Sequence, residues 1–335
     1  MHARLHLRQS AAALATALAA IGAGTFLAIH PAIAQDAYPS KPIRLVIGFP
    51  PGGAADTIAR IYGEALSKEL KQPVVVDNRP GAGTTIAADY VAKSPADGYT
   101  LYIGGASLMG GDNALYKNLR YTAGDFTPVT QLTTAPLLLV AGKASGIKTT
   151  ADLLQKAKQS PGALNYSSSG NGVVTHLAGV HFVKMAHITM THVPYKGGAQ
   201  SGQAVAAGDA QVSFATPASV QPLIDAGKLT PIAVTSARRS TVMPNYPTIA
   251  ESGVPGYELN NWYGLFVAKG TPAPIVQQLH SASVKVLREP AVRKQLASRG
   301  EEAAPSASPD AFRTFATREG KLNVDLIAQS GANID

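Results

Sequence analysis

The sequence contains no cysteine among its 335 residues. It therefore has no disulfide, no thiol nucleophile, no thiolate metal ligand and no cysteine that could carry a lipid. Charged residues make up only 15% of the chain, and the densest basic spot is Arg238-Arg239. Because the basic residues form no stripe, we expect no nucleic-acid partner.

The N-terminal segment has the composition of an export signal. Arg4 and Arg8 precede an alanine-rich apolar stretch, and Ala32-Ile33-Ala34 offers a small-x-small cleavage site. We therefore predict a cleaved signal peptide over residues 1–34 and a mature protein in the periplasm. An uncleaved membrane anchor is the alternative. Removal of the signal would lower the net charge from +8 to +6, a mild positive charge that suits acidic solutes.

Beyond the signal, short apolar runs alternate with segments of helical periodicity. The first unit has an apolar run from Ile43 to Phe49 that predicts a strand, then the turn Pro50-Pro51-Gly52-Gly53 and an amphipathic helix from Thr57 to Leu70. Such alternation through short glycine-rich loops is typical of parallel sheets covered by helices. About 300 residues is more than one core usually organises. We predict an α/β fold of two lobes, with two parallel-type sheets flanked by helices and a ligand cleft between the lobes.

Two extended stretches interrupt this alternation and mark the crossings between the lobes. They are Thr127 to Ala141, rich in Val, Leu and Thr, and Leu259 to Ala268. We therefore assign residues 35–132 and 259–335 to lobe 1, and residues 133–258 to lobe 2. The C-terminal part of the chain has predicted helices but no predicted strands that could build a third sheet. We therefore expect these helices to pack on lobe 1.

Glycine-rich loops follow several of the predicted strands, at 50–53, 80–83, 104–107, 167–172 and 196–198. Ligands of open parallel sheets bind at the carboxyl ends of the strands, so these loops should meet at the cleft. Their backbone N–H groups, together with the helix starts behind them, favour an anion such as a carboxylate or phosphate. At the first loop there is a plainer alternative, in which the glycines only form a tight turn and Asp56 only complements the helix dipole.

Catalytic and metal sites fit the sequence less well. Gly105-Ala106-Ser107-Leu108-Met109 is similar to a hydrolase nucleophile elbow but lacks its final glycine, so a serine hydrolase of a small ester is kept only as an alternative. His176 and His181 are five residues apart, which places them on different faces of a helix. We predict no metal and no cofactor.

A series of motifs along the chain occurs in the order found in one receptor family. The motifs are Tyr38-Pro39-Ser40-Lys41-Pro42-Ile43, Phe49 to Asp56, Asn78-Arg79-Pro80-Gly81-Ala82-Gly83, Asp97-Gly98-Tyr99-Thr100-Leu101, Tyr166 to Gly172, His192 to Gly198, Pro247 to Tyr257 and Trp262-Tyr263-Gly264-Leu265. From Tyr38 onward the chain resembles the Bug family, the extracytoplasmic receptors of tripartite tricarboxylate transporters, which have the type II periplasmic binding protein fold.

The resemblance implies a receptor rather than an enzyme, with no catalytic residue, and a monomer is expected. It would close its lobes over a small carboxylate, such as a di- or tricarboxylate or an aromatic acid, and deliver it to the integral membrane subunits of the transporter. Ala215-Thr216-Pro217 stands where amino-acid receptors of this family often carry an acid, which favours ligands without an ammonium group. The residues predicted to bind the ligand are Pro51, Gly52, Gly53, Asp56, Gly81, Ala82, Ser107, Ser167, Ser168, Ser169, Gly170, Asn171, Gly172, His176, Lys196, Gly197 and Thr216.

Overall fold

The computed structural model describes residues 38–52 and 54–331. The predicted signal peptide over residues 1–34 and the site residue Gly53 therefore lie outside the described residues. Among the described residues, no helix combines the length and the apolar composition needed to cross a bilayer.

Strands and helices alternate through most of the described chain. The strands are β1 (Ile43–Ile47), β2 (Val74–Asn78), β3 (Thr100–Gly104), β4 (Phe126–Pro136), β5 (Leu138–Gly142), β6 (Asn165–Ser168), β7 (Thr191–Pro194), β8 (Val212–Ala215), β9 (Leu229–Val234), β10 (Asn260–Ala268) and β11 (Glu302–Ala303). The helices are α1 (Ala54–Leu70), α2 (Thr85–Ala92), α3 (Asp112–Leu115), α4 (Thr150–Gln159), α5 (Val174–Met185), α6 (Gly198–Ala207), α7 (Pro217–Asp225), α8 (Ala273–Arg288), α9 (Pro290–Ala297) and α10 (Pro309–Ser330).

The first sheet has the strand order β11-β4-β10-β3-β1-β2 within the described residues. β1 pairs in parallel with β2 and β3, so that Leu45 lies opposite Val76 and Leu101. β10 runs antiparallel to both β3 and β4, which makes the sheet mixed. On one face, α1 and α8 meet over the core, where the buried hydroxyls of Tyr62 and Ser283 share a hydrogen bond of 2.6 Å.

The second sheet has the strand order β7-β6-β8-β5-β9 within the described residues. β6 pairs in parallel with β7 and β8, whereas β5 runs antiparallel to β8 and β9. Phe182, Phe214 and Tyr257 are fully buried in the core on this sheet. The two sheets with their flanking helices are the two lobes of the predicted α/β fold, with antiparallel strands added to the expected parallel ones.

The stretch from Thr127 to Ala141, expected to be a connector, consists of two strands in different sheets. Leu137 alone separates β4 from β5, and it is where the chain crosses between the sheets. Its N–H donates to the Thr235 hydroxyl at 2.7 Å, and the Thr235 N–H donates to the Leu137 carbonyl at 3.0 Å. The second expected connector is β10, a strand of the first sheet. The lobe boundaries at 132/133 and 258/259 remain a prediction, while β4 itself continues to Pro136.

The C-terminal helix α10 contributes to the cores of both lobes. Phe312 and Ala316 pack in a cluster with Trp262 of the first lobe, whereas Leu326 and Ile327 belong to the cluster of the second lobe. A helix of 22 residues is about 33 Å long, which is enough to span both cores. The sequence predicts this helix on lobe 1, but its length carries it across to lobe 2 as well.

Candidate functional site

A cavity of about 560 Å³ is lined by residues of both lobes. This volume is within the usual range for sites that take small molecules. The described lining consists of Gly48, Phe49, Pro50, Pro80, Gly81, Ala82, Gly83, Thr84, Tyr102, Gly104, Gly105, Ala106, Ser107, Asp112, Leu115, Tyr116, Ser169, Asn171, Gly172, Val173, Val174, Thr175, Thr216, Asn260, Asn261, Trp262, Tyr263 and Asn323.

Charge is scarce around this cavity. Among the described lining residues none is lysine, arginine or histidine, and only Asp112 carries a carboxyl group. The polar lining is made instead of hydroxyls and amides, for example those of Tyr102, Asn171 and Thr216. A bound group would therefore be held by neutral hydrogen-bond donors and backbone N–H groups.

Three helices begin at the wall of the cavity. The residues before their first turns are Thr84 for α2, Val173 for α5 and Thr216 for α7, and all three line the cavity. In none of these three described helices does the capping side chain hydrogen-bond the first turn. The first N–H groups of a helix have no partner within the helix, and they carry a partial positive charge. The convergence of three such ends suits an anion.

The edge of the cavity in lobe 1 has an unusual backbone. The residues from Gly81 to Thr84 have φ angles of 135°, 44°, 61° and 86° in turn. Ala82 and Thr84 are not glycines, and the left-handed region costs such residues roughly 1–2 kcal/mol each. At Gly83 a Cβ atom would lie 2.6 Å from the Tyr116 hydroxyl, so a side chain there would collide with the lining of the cavity.

The edge in lobe 2 is held by side chains. The Ser168 hydroxyl and Nε2 of His192 are 2.7 Å apart, and the Gly172 N–H donates to Nδ1 of His176 at 3.1 Å. The two imidazole rings stack with their centroids 3.7 Å apart. Burial lowers the pKa of each histidine to about 4, so both are neutral at pH 7. The stacked pair thus fixes both ends of the loop from Ser168 to Gly172.

Part of the predicted set of site residues lies together at this cavity. Two groups come from lobe 1, namely the 80–84 segment and Ser107, and two come from lobe 2, namely the 169–172 loop and the start of α7. The predicted residues that line the cavity are Gly81, Ala82, Ser107, Ser169, Asn171, Gly172 and Thr216.

Three predicted residues at the first glycine-rich loop, Pro51, Gly52 and Asp56, are not part of the described cavity lining. Pro51 and Gly52 are exposed, and Gly53 is outside the described residues. The buried carboxylate of Asp56 accepts hydrogen bonds from the Gly52 N–H at 3.0 Å and from Arg60 at 2.9 Å. The bond from Arg60 lowers the pKa of Asp56 to about 2. These contacts support the plainer interpretation, in which Asp56 stabilises the turn and the helix start.

Other predicted residues lie behind the lining or outside it. Ser167 is buried in a hydroxyl cluster, 2.7 Å from the Ser201 hydroxyl, because it lies within β6. Ser168 and His176 support the loop from behind, as described above, and Gly170 accepts a hydrogen bond from the Ser168 hydroxyl at 2.9 Å. Lys196 is exposed, and Gly197 is the N-cap residue of α6. Neither residue is part of the described cavity lining.

Several lining residues were not predicted from the sequence. Trp262 and Tyr263 belong to one of the quoted family motifs, which was a usable signal. Asp112 follows a turn of π-helix, and Asn323 comes from α10, more than 200 residues away in sequence. No local pattern marks either of them as part of a cleft.

The described cavity lacks the arrangement that a serine hydrolase needs. The Ser107 hydroxyl bonds to Asp112, and no histidine is among the described lining residues. A nucleophilic serine requires a base within hydrogen-bond reach. Within the part of the chain that the structure describes, there is also no group of three or more side chains that could hold a metal ion.

Two lobes of α/β structure, with a cavity between them whose described lining consists largely of hydroxyls, amides and helix starts, have the architecture of a solute-binding protein. Residues 58–331 match the model of the family described as "Tripartite tricarboxylate transporter family receptor". The chain belongs to this family, which confirms the resemblance drawn from the motifs and gives no support to the hydrolase alternative.

Individual relatives agree with this assignment. A Pseudomonas sp. (strain P51) protein, "UPF0065 protein in tcbD-tcbE intergenic region", is 38% identical over 295 residues, covering 87% of this chain and 88% of that protein. The solved structure of "R. palustris Rpa4515 with adipate" has a TM-score of 0.76 and 34% identity, with 89% of this chain and all of that chain covered. MatC from Rhodopseudomonas palustris "with bound malate" has a TM-score of 0.71 and 30% identity, with 87% and 100% covered.

Proposed function

We propose that this protein is a receptor that captures a small carboxylate in the cleft and delivers it to the integral membrane subunits of a tripartite tricarboxylate transporter. The observation that carries the proposal is the convergence of three helix starts on a cavity whose described lining has no basic side chain. A carboxylate would be bound by backbone N–H groups and hydroxyls. The adipate and malate in the two related structures support the choice of a carboxylate.

The proposed receptor binds its ligand without changing it. The Ser107 hydroxyl is hydrogen-bonded to Asp112, and the described lining offers no histidine that could activate this hydroxyl for attack. The chain would act as a monomer in the periplasm, after cleavage behind Ala34. The kinship to proteins described as periplasmic and the export signal in the sequence support this location.

The decisive experiment is calorimetric titration of the protein purified from the periplasm, whose intact mass also gives its first residue. The panel would hold adipate, malate, citrate and benzoate, each matched with its amide. We expect at least one acid to bind and its amide to bind at least about 100-fold more weakly, because the amide lacks the charge that the helix starts favour. Mass spectrometry of each mixture should return the acid unchanged.

Equal binding of acids and amides would contradict the anion site, and a chemically altered acid would contradict the receptor. A mass that retains Met1 would contradict the export and cleavage.

A further inference from the structure

Asp112 is an unusual neighbour for a bound carboxylate. Its side chain is 1% exposed, and it provides the only carboxyl group in the described lining of the cavity. The Tyr121 hydroxyl donates to its Oδ2 at 2.6 Å, and the Ser107 hydroxyl donates to the same carboxyl group. Burial raises the pKa of Asp112 to about 6, so at pH 7 most molecules carry a negative charge beside the cavity.

The groups around Asp112 do not offset this charge. Tyr121 and Tyr102 face it, and burial raises the pKa of both hydroxyls far enough that they stay neutral across the physiological range. The helix α10, which packs on the same turn, presents Asn323, which does not titrate. Asp89 acts on Tyr121 from α2 and is itself paired with Lys93. A second negative charge in this cavity would therefore meet repulsion from Asp112, which only the helix starts and the hydroxyls of the described lining reduce.

Ser107 links Asp112 to the cavity. A serine hydroxyl has a single hydrogen to donate. In the structure that hydrogen goes to the Asp112 carboxylate, although the Ser107 side chain also lines the cavity. An ionised Asp112 and a bound carboxylate would thus compete for the same hydrogen.

We propose that the cleft captures a carboxylate together with one proton, which Asp112 takes up from solvent. This inference rests on the proposed function. Protonated Asp112 donates its O–H to Oγ of Ser107 while its other oxygen still accepts from Tyr121, and Ser107 turns its own hydrogen toward the bound carboxylate. The proton leaves again when the ligand leaves.

A direct salt bridge from Asp112 to a ligand ammonium group is disfavoured by the geometry. Both donors to the carboxyl group come from the protein, and almost none of its surface reaches the cavity. An acid that pairs with a ligand cation needs an oxygen that faces the ligand. Asp112 is better placed to act through its charge and through Ser107.

The test is calorimetric titration of the full mature chain with adipate, malate, citrate and benzoate at pH 6.5 and 8.0, each in two buffers that differ in ionisation enthalpy. Adipate, malate and benzoate are almost fully ionised at both pH values, whereas the last carboxyl group of citrate titrates in this range, so the proton count is taken from the other three acids. The pKa of Asp112 is about 6 in the free protein and would be higher in the complex. We therefore expect about 0.75 proton to be taken up per bound acid at pH 6.5, where about a quarter of Asp112 is already protonated, and nearly one at pH 8.0. The affinity should fall by up to about tenfold per pH unit as the pH rises from 6.5.

Asp112→Asn imitates the protonated carboxyl group, because its amide donates on one side and accepts on the other. It should bind the same acid without proton uptake, and its affinity at pH 8.0 should be within about threefold of the unmodified protein's affinity at pH 6.5. Asp89→Asn is the matched control, since Asp89 lies outside the cavity lining and should leave the proton uptake unchanged.

The outcomes separate this inference from the proposed function. If an acid binds without proton uptake, or if the Asp112→Asn protein keeps the pH dependence, the inference is wrong and the receptor remains. If amines bind in a way that depends on Asp112, then Asp112 forms a salt bridge with the ligand instead of taking up a proton, and the inference is wrong. If no acid binds at either pH, the proposed function fails and the inference with it. Should the Asp112→Asn protein not fold, the proton count of the unmodified protein decides alone.

Discussion

The two edges of the cavity present the same kind of group, the start of a helix, but hold it by different means. On the lobe 1 side, the segment from Gly81 to Thr84 depends on a run of left-handed backbone conformations. On the lobe 2 side, the loop from Ser168 to Gly172 depends on hydrogen bonds to the stacked pair His176 and His192. One edge is therefore sensitive to any added Cβ, and the other to the loss of a ring.

This difference shows that a similar binding surface can be stabilised either by conformation or by a polar network. A left-handed segment of four residues persists only when its surroundings over-determine it. Gly48 is part of those surroundings, since a Cβ there would lie 2.4 Å from Cβ of Thr84. The lobe 2 loop also contains glycines with positive φ, 145° at Gly170 and 71° at Gly172, but it adds a neutral imidazole that accepts the Gly172 N–H.

The largest expected effect comes from Gly83→Val. Its Cβ would collide with Tyr116 and place a branched side chain at a φ of +61°, so the lobe 1 edge would have to move. We expect at least a 100-fold loss of affinity for the acid that binds best, which is about 2.7 kcal/mol. Gly52→Val is the matched control, with a φ of +85°, no atom within 4 Å of the added Cβ and a position outside the cavity lining. An equal loss in both variants, measured by calorimetry, would instead place the 50–53 loop in the binding site.

A smaller effect is expected on the other edge from His176→Ala. The substitution removes the acceptor of the Gly172 N–H and leaves a gap under the loop, which should weaken binding by about tenfold, or 1.4 kcal/mol. His181→Ala is the control on the same helix, because His181 packs against Tyr257 rather than the loop. The comparison would fail if both variants bound as the unmodified protein does, since the stacked pair would then not order the loop.

The last expected effect is on stability, to which Asp112 contributes most at low pH and His176 contributes most at high pH. The pKa of Asp112 in the folded protein, about 6, exceeds its ordinary value of 3.8. The contribution of Asp112 to the free energy of unfolding is fully present below pH 3.8, and it is lost as the pH rises through 6. The pKa of His176, about 4, is below its ordinary value of 6.5, so its contribution is fully present above pH 6.5 and is lost as the pH falls through 4.

Urea unfolding at pH 4.5, 5.5 and 7.0 would show this contrast. The stability gained by Asp112→Asn over the unmodified protein should grow with pH, and the stability lost by His176→Ala should also grow with pH. Each difference should change by about 1 kcal/mol per pH unit, because one linked proton gives at most 1.4. Differences that stay constant across the three pH values would show that neither group is linked to folding.

Local patterns in the sequence were enough for most of the fold. The first strands, helices and glycine-rich loops lie within a few residues of the predicted positions, because burial and helical periodicity are local properties. The direction of β4, β5 and β10 was not predicted, since a stretch rich in Val, Leu and Thr can pair in either direction. The local sequence pattern also gave no sign that Leu137 separates two strands of different sheets.

The site was only partly predictable for a related reason. The loops at 80–83 and 167–172 were predicted because they follow strands, and parallel strands bring their carboxyl ends to one edge. Ser167 was assigned to the site because it belongs to a motif, but its position within β6 turns it to a buried hydroxyl cluster. Asp112 and Asn323 come from unrelated segments that meet only after packing, so neither has a local signal.

The helix α10 has a consequence for the order in which the protein is completed. Phe312 closes the core beside Trp262, and Leu326 and Ile327 close the core that contains Phe182, so neither core is full before residues 309–330 have been made. A chain still emerging from the ribosome would expose apolar surface on both lobes until its last helix arrived. Such a delay would suit the proposed export, because a lobe that lacks part of its core is easier to unfold.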